Sequence, residues 1–164
     1  MKAVKAIVLD VDGVLTDGGV WWGPNGEEWK RFSFVDIMGV SLARKAGLIV
    51  GLISGENSPL VDRFAKKMGI TEVEKGCRNK AVALREMVAR CGLSLDQVCF
   101  MGDDVNDIEA MRLAGLAAAP ATAVPAVLQC VQFISTKSGG NGAVRELVDA
   151  ILLASTQHIE GRSV

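Results

Sequence analysis

A doubly wound α/β domain with a parallel sheet is the fold class this sequence predicts, and three observations predict it. Apolar runs of strand length alternate with stretches of helical period along most of the chain. Three of those runs stop at polar groups: Leu9 at Asp10, Ile53 at Ser54, and Met101 at Gly102-Asp103-Asp104. In an open parallel sheet such strand ends face the crevice where ligands bind. The one irregular insertion is a hairpin pattern over about residues 18–34, directly after the first strand. Residues 1–164 together read as a single domain.

The elements follow in order. Val4, Ala6, Ile7, Val8 and Leu9, interrupted by Lys5 alone, read as a strand buried on both faces. Val20-Trp21-Trp22 and the run from Glu27 to Phe34 flank Gly23-Pro24-Asn25-Gly26, which is a hairpin signal. Asp36 is the expected N-cap of a helix that carries Ile37, Val40, Leu42 and Ala43 and stops at Gly47. Leu48 to Ile53 is a second buried strand, and Ser58-Pro59 starts a helix that Gly69 ends. Thr71 to Val73 is a weak strand, and Asn79 opens a helix through Lys80, Leu84, Met87 and Val88 to Gly92. Gln97 to Met101 is the next strand, followed by a helix from about Asn106 to Leu113 and a small-residue strand from Gly115 to Ala119. A short helix after Pro125, a strand at Gln132 to Ile134 and a flexible loop over residues 137–142 complete the pattern up to the last helix. That helix runs from Ala143 to Leu153 and aligns Val144, Leu147, Val148 and Ile151 on one face. The tail from about residue 155 to 164 is expected to be disordered. Within it Ile159-Glu160-Gly161-Arg162 matches a protease site used in recombinant expression and carries no weight in the fold.

Composition narrows the function. Hydrophobic residues make up 49% of the chain and charged residues 23%, with a net charge of −1. That balance offers no nucleic-acid or membrane surface. No apolar run is long enough to span a bilayer, and the N-terminus lacks a signal-peptide pattern. Cys77, Cys91, Cys99 and Cys130 form no C-x-x-C and read as reduced thiols of a cytoplasmic protein. The one histidine, His158, sits in the polar tail, which excludes a His-based triad or a His-rich zinc site.

Polar groups that could converge at the carboxyl edge are Asp10 with Asp12, Ser54, Lys80, and Asp103 with Asp104 and Asp107. Taken singly, each has a plain alternative: a turn cap for the first pair, a helix cap for Ser54, a solvated helix position for Lys80, and dipole-complementing caps for Asp103 and Asp104. Taken together, they suit the hydrolysis of a phosphate ester. Close carboxylates repel unless a cation intervenes, and oxygen ligands favour Mg²⁺, here held by Asp10 and Asp103. Asp10 can attack phosphorus, and Asp12 can protonate the leaving alkoxide and then activate water. Ser54 and the backbone N–H of Gly55 can bind phosphoryl oxygens, with Lys80 offsetting charge.

Asp10-x-Asp12-Gly13-Val14-x-Thr16, the hydroxyl residue ending the second strand, the downstream Lys80, and Gly102-Asp103-Asp104-x-Asn106-Asp107 resemble the four motifs of the haloacid dehalogenase superfamily. The resemblance covers about Val4 to Leu153. It implies a Rossmann-like fold, Mg²⁺, Asp10 as nucleophile, Asp12 as acid/base, Ser54 and Lys80 as phosphate binders and Asp103 as metal ligand. It further implies that the backbone carbonyl of Asp12 ligates the metal and that Asp104 and Asp107 support it. No insertion is long enough for a cap domain. Asp12 to Gly19, Lys30-x-Phe32 and Gly139-Gly140-x-Gly142-Ala143-Val144-Arg145-Glu146 resemble the capless branch that hydrolyses 2-keto-3-deoxy sugar acid phosphates. A non-catalytic appendage of some acylneuraminate cytidylyltransferases shares this pattern, but intact Asp10, Asp12, Lys80 and Asp103 argue for an enzyme.

Within that branch, Gly55-Glu56 departs from the Gly-Arg usual for eight-carbon substrates such as 3-deoxy-manno-octulosonate 8-phosphate. It is similar to the form that acts on the nine-carbon KDN 9-phosphate. That similarity implies Glu56 and Lys67 as substrate contacts, with a solvated helix position the plain alternative for Lys67, and it makes the nine-carbon substrate the favoured expectation. Ile37-Met38-Gly39 also departs from the branch's Asp-Gly-x-Gly. The branch forms tetramers in which the hairpin covers a neighbour's site. The hairpin here gathers Val20, Trp21, Trp22, Trp29, Phe32 and Phe34, so a homotetramer is expected.

Overall fold

The computed structural model describes the backbone of residues 4–160 and the side chains of residues 4–156. Its centre is a six-stranded parallel sheet. The strands are β1 (Ala6–Leu9), β4 (Ile49–Ile53), β5 (Glu72–Glu74), β6 (Val98–Met101), β7 (Leu116–Ala119) and β8 (Phe133–Ile134). β2 (Trp21–Trp22) and β3 (Glu28–Trp29) form the separate antiparallel hairpin. The helices are α1 (Phe34–Lys45), α2 (Pro59–Met68), α3 (Lys80–Arg90), α4 (Ile108–Leu113), α5 (Pro125–Leu128) and α6 (Ala143–Glu160).

Strand order is β5-β4-β1-β6-β7-β8. The chain starts in the middle, winds out to β5, then returns to the other side of β1 and winds out to β8. The reversal lies between β1 and β6, which is where a doubly wound sheet opens its ligand crevice. Alternation along β1 assigns its faces. Ile7 and Leu9 pack with Val40, Phe64 and Leu147 of α1, α2 and α6, whereas Ala6 and Val8 pack with Leu84, Met111 and Val127 of α3, α4 and α5. The result is three layers with two cores, and β1 and β6 are buried along their whole length.

Local chemistry explains most boundaries. Ser58 caps α2 by accepting from the Leu60 N–H, Pro59 begins it, and Gly69 ends it at φ +63°. Asn79 accepts from the Val82 N–H and opens α3 as expected. The expected Asp36 cap of α1 is corrected: Ser33 is the N-cap, accepting from the Val35 N–H, and the helix begins at Phe34. Asp36 is instead 1% exposed and reaches across to accept from the Gly142 and Arg145 N–H groups. A sequence cannot distinguish a carboxylate that caps its own helix from one that caps a helix 100 residues away. Gly39 sits where a Cβ would lie 2.8 Å from the Arg145 Cα, so it lets α1 and α6 cross closely. A 3-10 turn, Val105–Asp107, precedes α4. The last helix continues to Glu160 and takes in residues 155–160 of the tail expected to be disordered; residues 161–164 lie outside the described residues. Among the described residues no helix is long and apolar enough to cross a membrane.

Candidate active site

The first acidic group is delivered by β1. Its ladder is extended by the Asp10 N–H, which donates to the Met101 carbonyl at 2.9 Å, so Asp10 leaves the sheet beside the end of β6. Asp10 is 5% exposed. Gly13 follows at φ +81°, in a loop that the Thr16 hydroxyl secures by accepting from the Gly13 and Gly18 N–H groups. A Cβ at Gly13 would overlap the Asp103 carboxylate, so the glycine is what lets the β1 and β6 loops touch.

Lys80 is the first residue of α3 and is 3% exposed. Its Nζ lies 2.9 Å from Asp10 Oδ1 and 2.7 Å from Asp107 Oδ1. Asp107 is fully buried, and its other oxygen accepts from the Asp103 and Asp104 N–H groups. It therefore shapes the turn that presents Asp103, while Asp104 caps the 3-10 turn through the Val105 N–H. One ammonium thus faces more negative charge than it can neutralise. Burial and the charge of Asp107 raise the Asp10 pKa to about 7 against the pull of Lys80. Burial, with Asp107 and Asp104, raises Asp103 to about 6.

This deficit of positive charge fits a cation. Asp10, Asp103 and Asp107 each offer a carboxylate oxygen, all within 4.8 Å of one another. The donors are all oxygen, which suits Mg²⁺. Asp107 already accepts three hydrogen bonds, leaving Asp10 and Asp103 as the freer ligands. Sequence reasoning casts Asp107 as a support and takes its third ligand from the Asp12 carbonyl; the geometry brings the Asp107 side chain into the cluster itself.

A cavity of about 340 Å³ opens over the cluster, lined by Asp10, Asp12, Gly13, Gly55, Glu56, Lys80, Asp103 and Asp104 among others. Ser54, next to Gly55 in the chain, does not line it: the residue is fully buried, and its hydroxyl accepts from the Glu56 N–H at 3.1 Å. Glu56 is exposed at the rim and faces a second opening of about 540 Å³ toward the hairpin tip. Lys67 does not join it. That residue lines a separate, more apolar cavity with Trp29, Phe32 and Phe64, and its ammonium sits 5.9 Å from the Phe34 ring centre.

The hairpin supplies a pairing that sequence reasoning missed. Lys30, placed by the strand after the turn, puts its Nζ 2.9 Å from Asp12 Oδ1 and 3.5 Å from Glu28 Oε1. Burial alone would lower its pKa, but the hydrogen bond and charge of Asp12, then Glu28, raise it above the ordinary lysine value. Val105 and Asn106 also line the cavity. Two sequence signals bear on Lys30: the Lys30-x-Phe32 pattern that resembles the capless branch, and its two-residue spacing from Glu28, which puts both on one face of a strand.

Comparison with known proteins agrees with this geometry. A family model described as haloacid dehalogenase-like hydrolase matches residues 30–147. The Escherichia coli K12 3-deoxy-D-manno-octulosonate 8-phosphate phosphatase KdsC is 36% identical over 151 residues, covering 92% of this chain and 80% of that protein. The Moraxella catarrhalis 3-deoxy-D-manno-octulosonate 8-phosphate phosphatase, solved with magnesium, phosphate and KDO, superposes with a TM-score of 0.90 at 36% identity, covering 92% of this chain and 87% of that one. The Yersinia pestis phosphatase of the same name gives 0.90 and 36%, covering 92% and 82%. With the acidic cluster at the β1–β6 switch point and a family match over most of its length, the chain belongs to the haloacid dehalogenase-like hydrolases.

Proposed function

We propose that this chain hydrolyses 3-deoxy-D-manno-octulosonate 8-phosphate to the free sugar acid and inorganic phosphate. The chain is a phosphomonoester hydrolase; the eight-carbon substrate is the finer inference. It is carried by one observation: 36% identity over 92% of the chain to a phosphatase of that name, with Asp10, Asp12, Lys80 and Asp103 gathered around one cavity. This reading moves the eight-carbon substrate ahead of the nine-carbon one.

In this mechanism Asp10 attacks phosphorus, the bond to the sugar oxygen breaks, and Asp12 gives that oxygen its proton. Asp10 then carries the phosphoryl group. Asp12, now a carboxylate, takes a proton from the water that attacks the aspartyl-phosphate, so both carboxyls are restored and phosphate leaves. Gly55, which lines the cavity, offers its N–H to phosphoryl oxygens, the adjacent Ser54 offers its hydroxyl, and Lys80 offsets their charge. Asp10, Asp103 and the Asp12 carbonyl would hold Mg²⁺, supported by Asp104 and Asp107, and the ion supplies counter-charge to the phosphoryl oxygens.

Glu56 supports a second reading. A carboxylate at the cavity rim, where eight-carbon enzymes of this branch carry arginine, favours a nine-carbon acid such as KDN 9-phosphate. Phosphate release from both ulosonate phosphates, beside glucose 6-phosphate, separates the two. The proposal expects the highest kcat/KM for the eight-carbon substrate, and a clear preference for the nine-carbon one overturns it.

A homotetramer belongs to the same proposal. Trp21, Trp22 and Trp29 are 55%, 76% and 54% exposed, an apolar surface that a neighbouring subunit would cover. Four free cysteines suit a cytoplasmic setting.

A further inference from the structure

Asp12 is held from one side only. Its side chain is 31% exposed, and among the described residues only Lys30 pairs with it. Lys30, by contrast, is held from several sides. Its side chain is 5% exposed and bridges Asp12 to Glu28, whose carboxylate accepts from the Ser58 hydroxyl at 2.8 Å. Ser58 is the N-cap of α2 and so belongs to the layer packed on the sheet. Below Lys30 the hairpin is pinned by the Thr16–Phe32 bridge and by stacking of Phe32 on Phe64, with ring centres 4.8 Å apart. An unbroken series, Asp12–Lys30–Glu28–Ser58, therefore runs from the site through the hairpin to α2.

We propose that Lys30 is a positioning residue: delivered by the hairpin, it fixes the Asp12 carboxylate toward the leaving oxygen, so that seating the hairpin and placing the acid/base are one event. This rests on the acid/base role of Asp12 given above. A carboxylate on two freely rotating bonds at a solvent-open rim samples many orientations. Anchoring it at one oxygen leaves the other free for proton transfer and supplies the orientation on which such catalysis depends. Arginine in place of Lys30 keeps the charge and most of the reach, whereas methionine keeps only the length.

The test is single-turnover alcohol release by the Mg²⁺-loaded full chain, using p-nitrophenyl phosphate and 3-deoxy-D-manno-octulosonate 8-phosphate. The nitrophenolate leaves without a proton, and the sugar alkoxide does not. Lys30→Met should slow release of the sugar acid by about 10-fold or more, with little effect on p-nitrophenol and with substrate affinity nearly unchanged. Lys30→Arg should restore most of the loss, and Glu28→Gln should show a weaker form of the same substrate dependence. Should Lys30→Met not fold, the Glu28→Gln contrast decides. Equal losses on both substrates, an unchanged or faster release of the sugar acid, or no rescue by arginine overturns the positioning role. Asp12→Asn run alongside separates the two ideas: if it too slows both substrates equally, the acid role of Asp12 fails and the role of Lys30 falls with it.

Discussion

The two walls of the crevice are built by opposite rules. On the sheet side, charge is buried and answered from within the chain: Asp10 and Asp107 share Lys80, and Asp107 also takes two backbone N–H groups. On the hairpin side, apolar surface is left in the open, with Trp21 and Trp29 paired across the strands and both about half exposed. Buried charges demand partners more strictly than exposed indoles demand cover. The sheet wall therefore answers its charge with Lys80 and backbone N–H groups, whereas the hairpin docks through Glu28 and Lys30 on its inner face and leaves its indoles exposed on the other.

That contrast can be broken at several points. Asp10→Asn should abolish turnover, because the amide keeps the shape and removes the nucleophile; phosphate release measures the loss and a thermal melt shows that the fold survives. Lys80→Met should also abolish activity and cost about 3 kcal/mol of stability in denaturant titration, since it leaves Asp10 and Asp107 buried without their cation. The double change Trp21→Ser with Trp29→Ser spares Lys30. It should yield a smaller species by light scattering while domain stability moves by no more than about 0.5 kcal/mol, and an unchanged particle size would show that these indoles are not a subunit interface.

A further effect is one of pH. Asp10 and Asp103, raised to about 7 and about 6, hold protons in the folded chain at pH values where the unfolded chain has released them. Stability of the metal-free protein should therefore fall as pH rises from about 4 to about 7 and then level off. Mg²⁺ favours the ionised carboxylates, so the melting-temperature gain on adding it should grow across the same window. Melts with and without a chelator at pH 5 and pH 8 check both signs, and Asp103→Asn should flatten the slope.

The sheet wall was legible in the sequence because its residues sit at strand ends, where apolar runs stop at Asp10, Ser54 and Asp103. Order along the chain is enough to bring such ends to one edge. The long-range partnerships were not legible. Lys30 and Asp12 meet because a hairpin folds back, Asp36 caps a helix more than 100 residues away, and Asp107 turns inward as part of the cluster. Periodicity specifies which face a residue occupies, not which distant backbone that face meets. Lys67 is a different case: its family counterpart implies a substrate contact, and in a single chain Lys67 and Glu56 line different cavities.

The central place of β1 also sets the order in which this molecule can be assembled as it is synthesised. Residues 6–9 emerge before both of their neighbours in the sheet, β4, ending at Ile53, and β6, ending at Met101. Until β6 is made, one edge of the most apolar strand has nothing to pair with, and the Asp10 loop has neither Asp103 nor Asp107 beside it. The site therefore closes late, only once β6 and the loop after it exist, and the exposed edge of β1 is a point of risk for pairing with the wrong strand in the meantime. Slowing synthesis before β6 should raise aggregation more than slowing it after α4, where each remaining element only adds to an assembled centre.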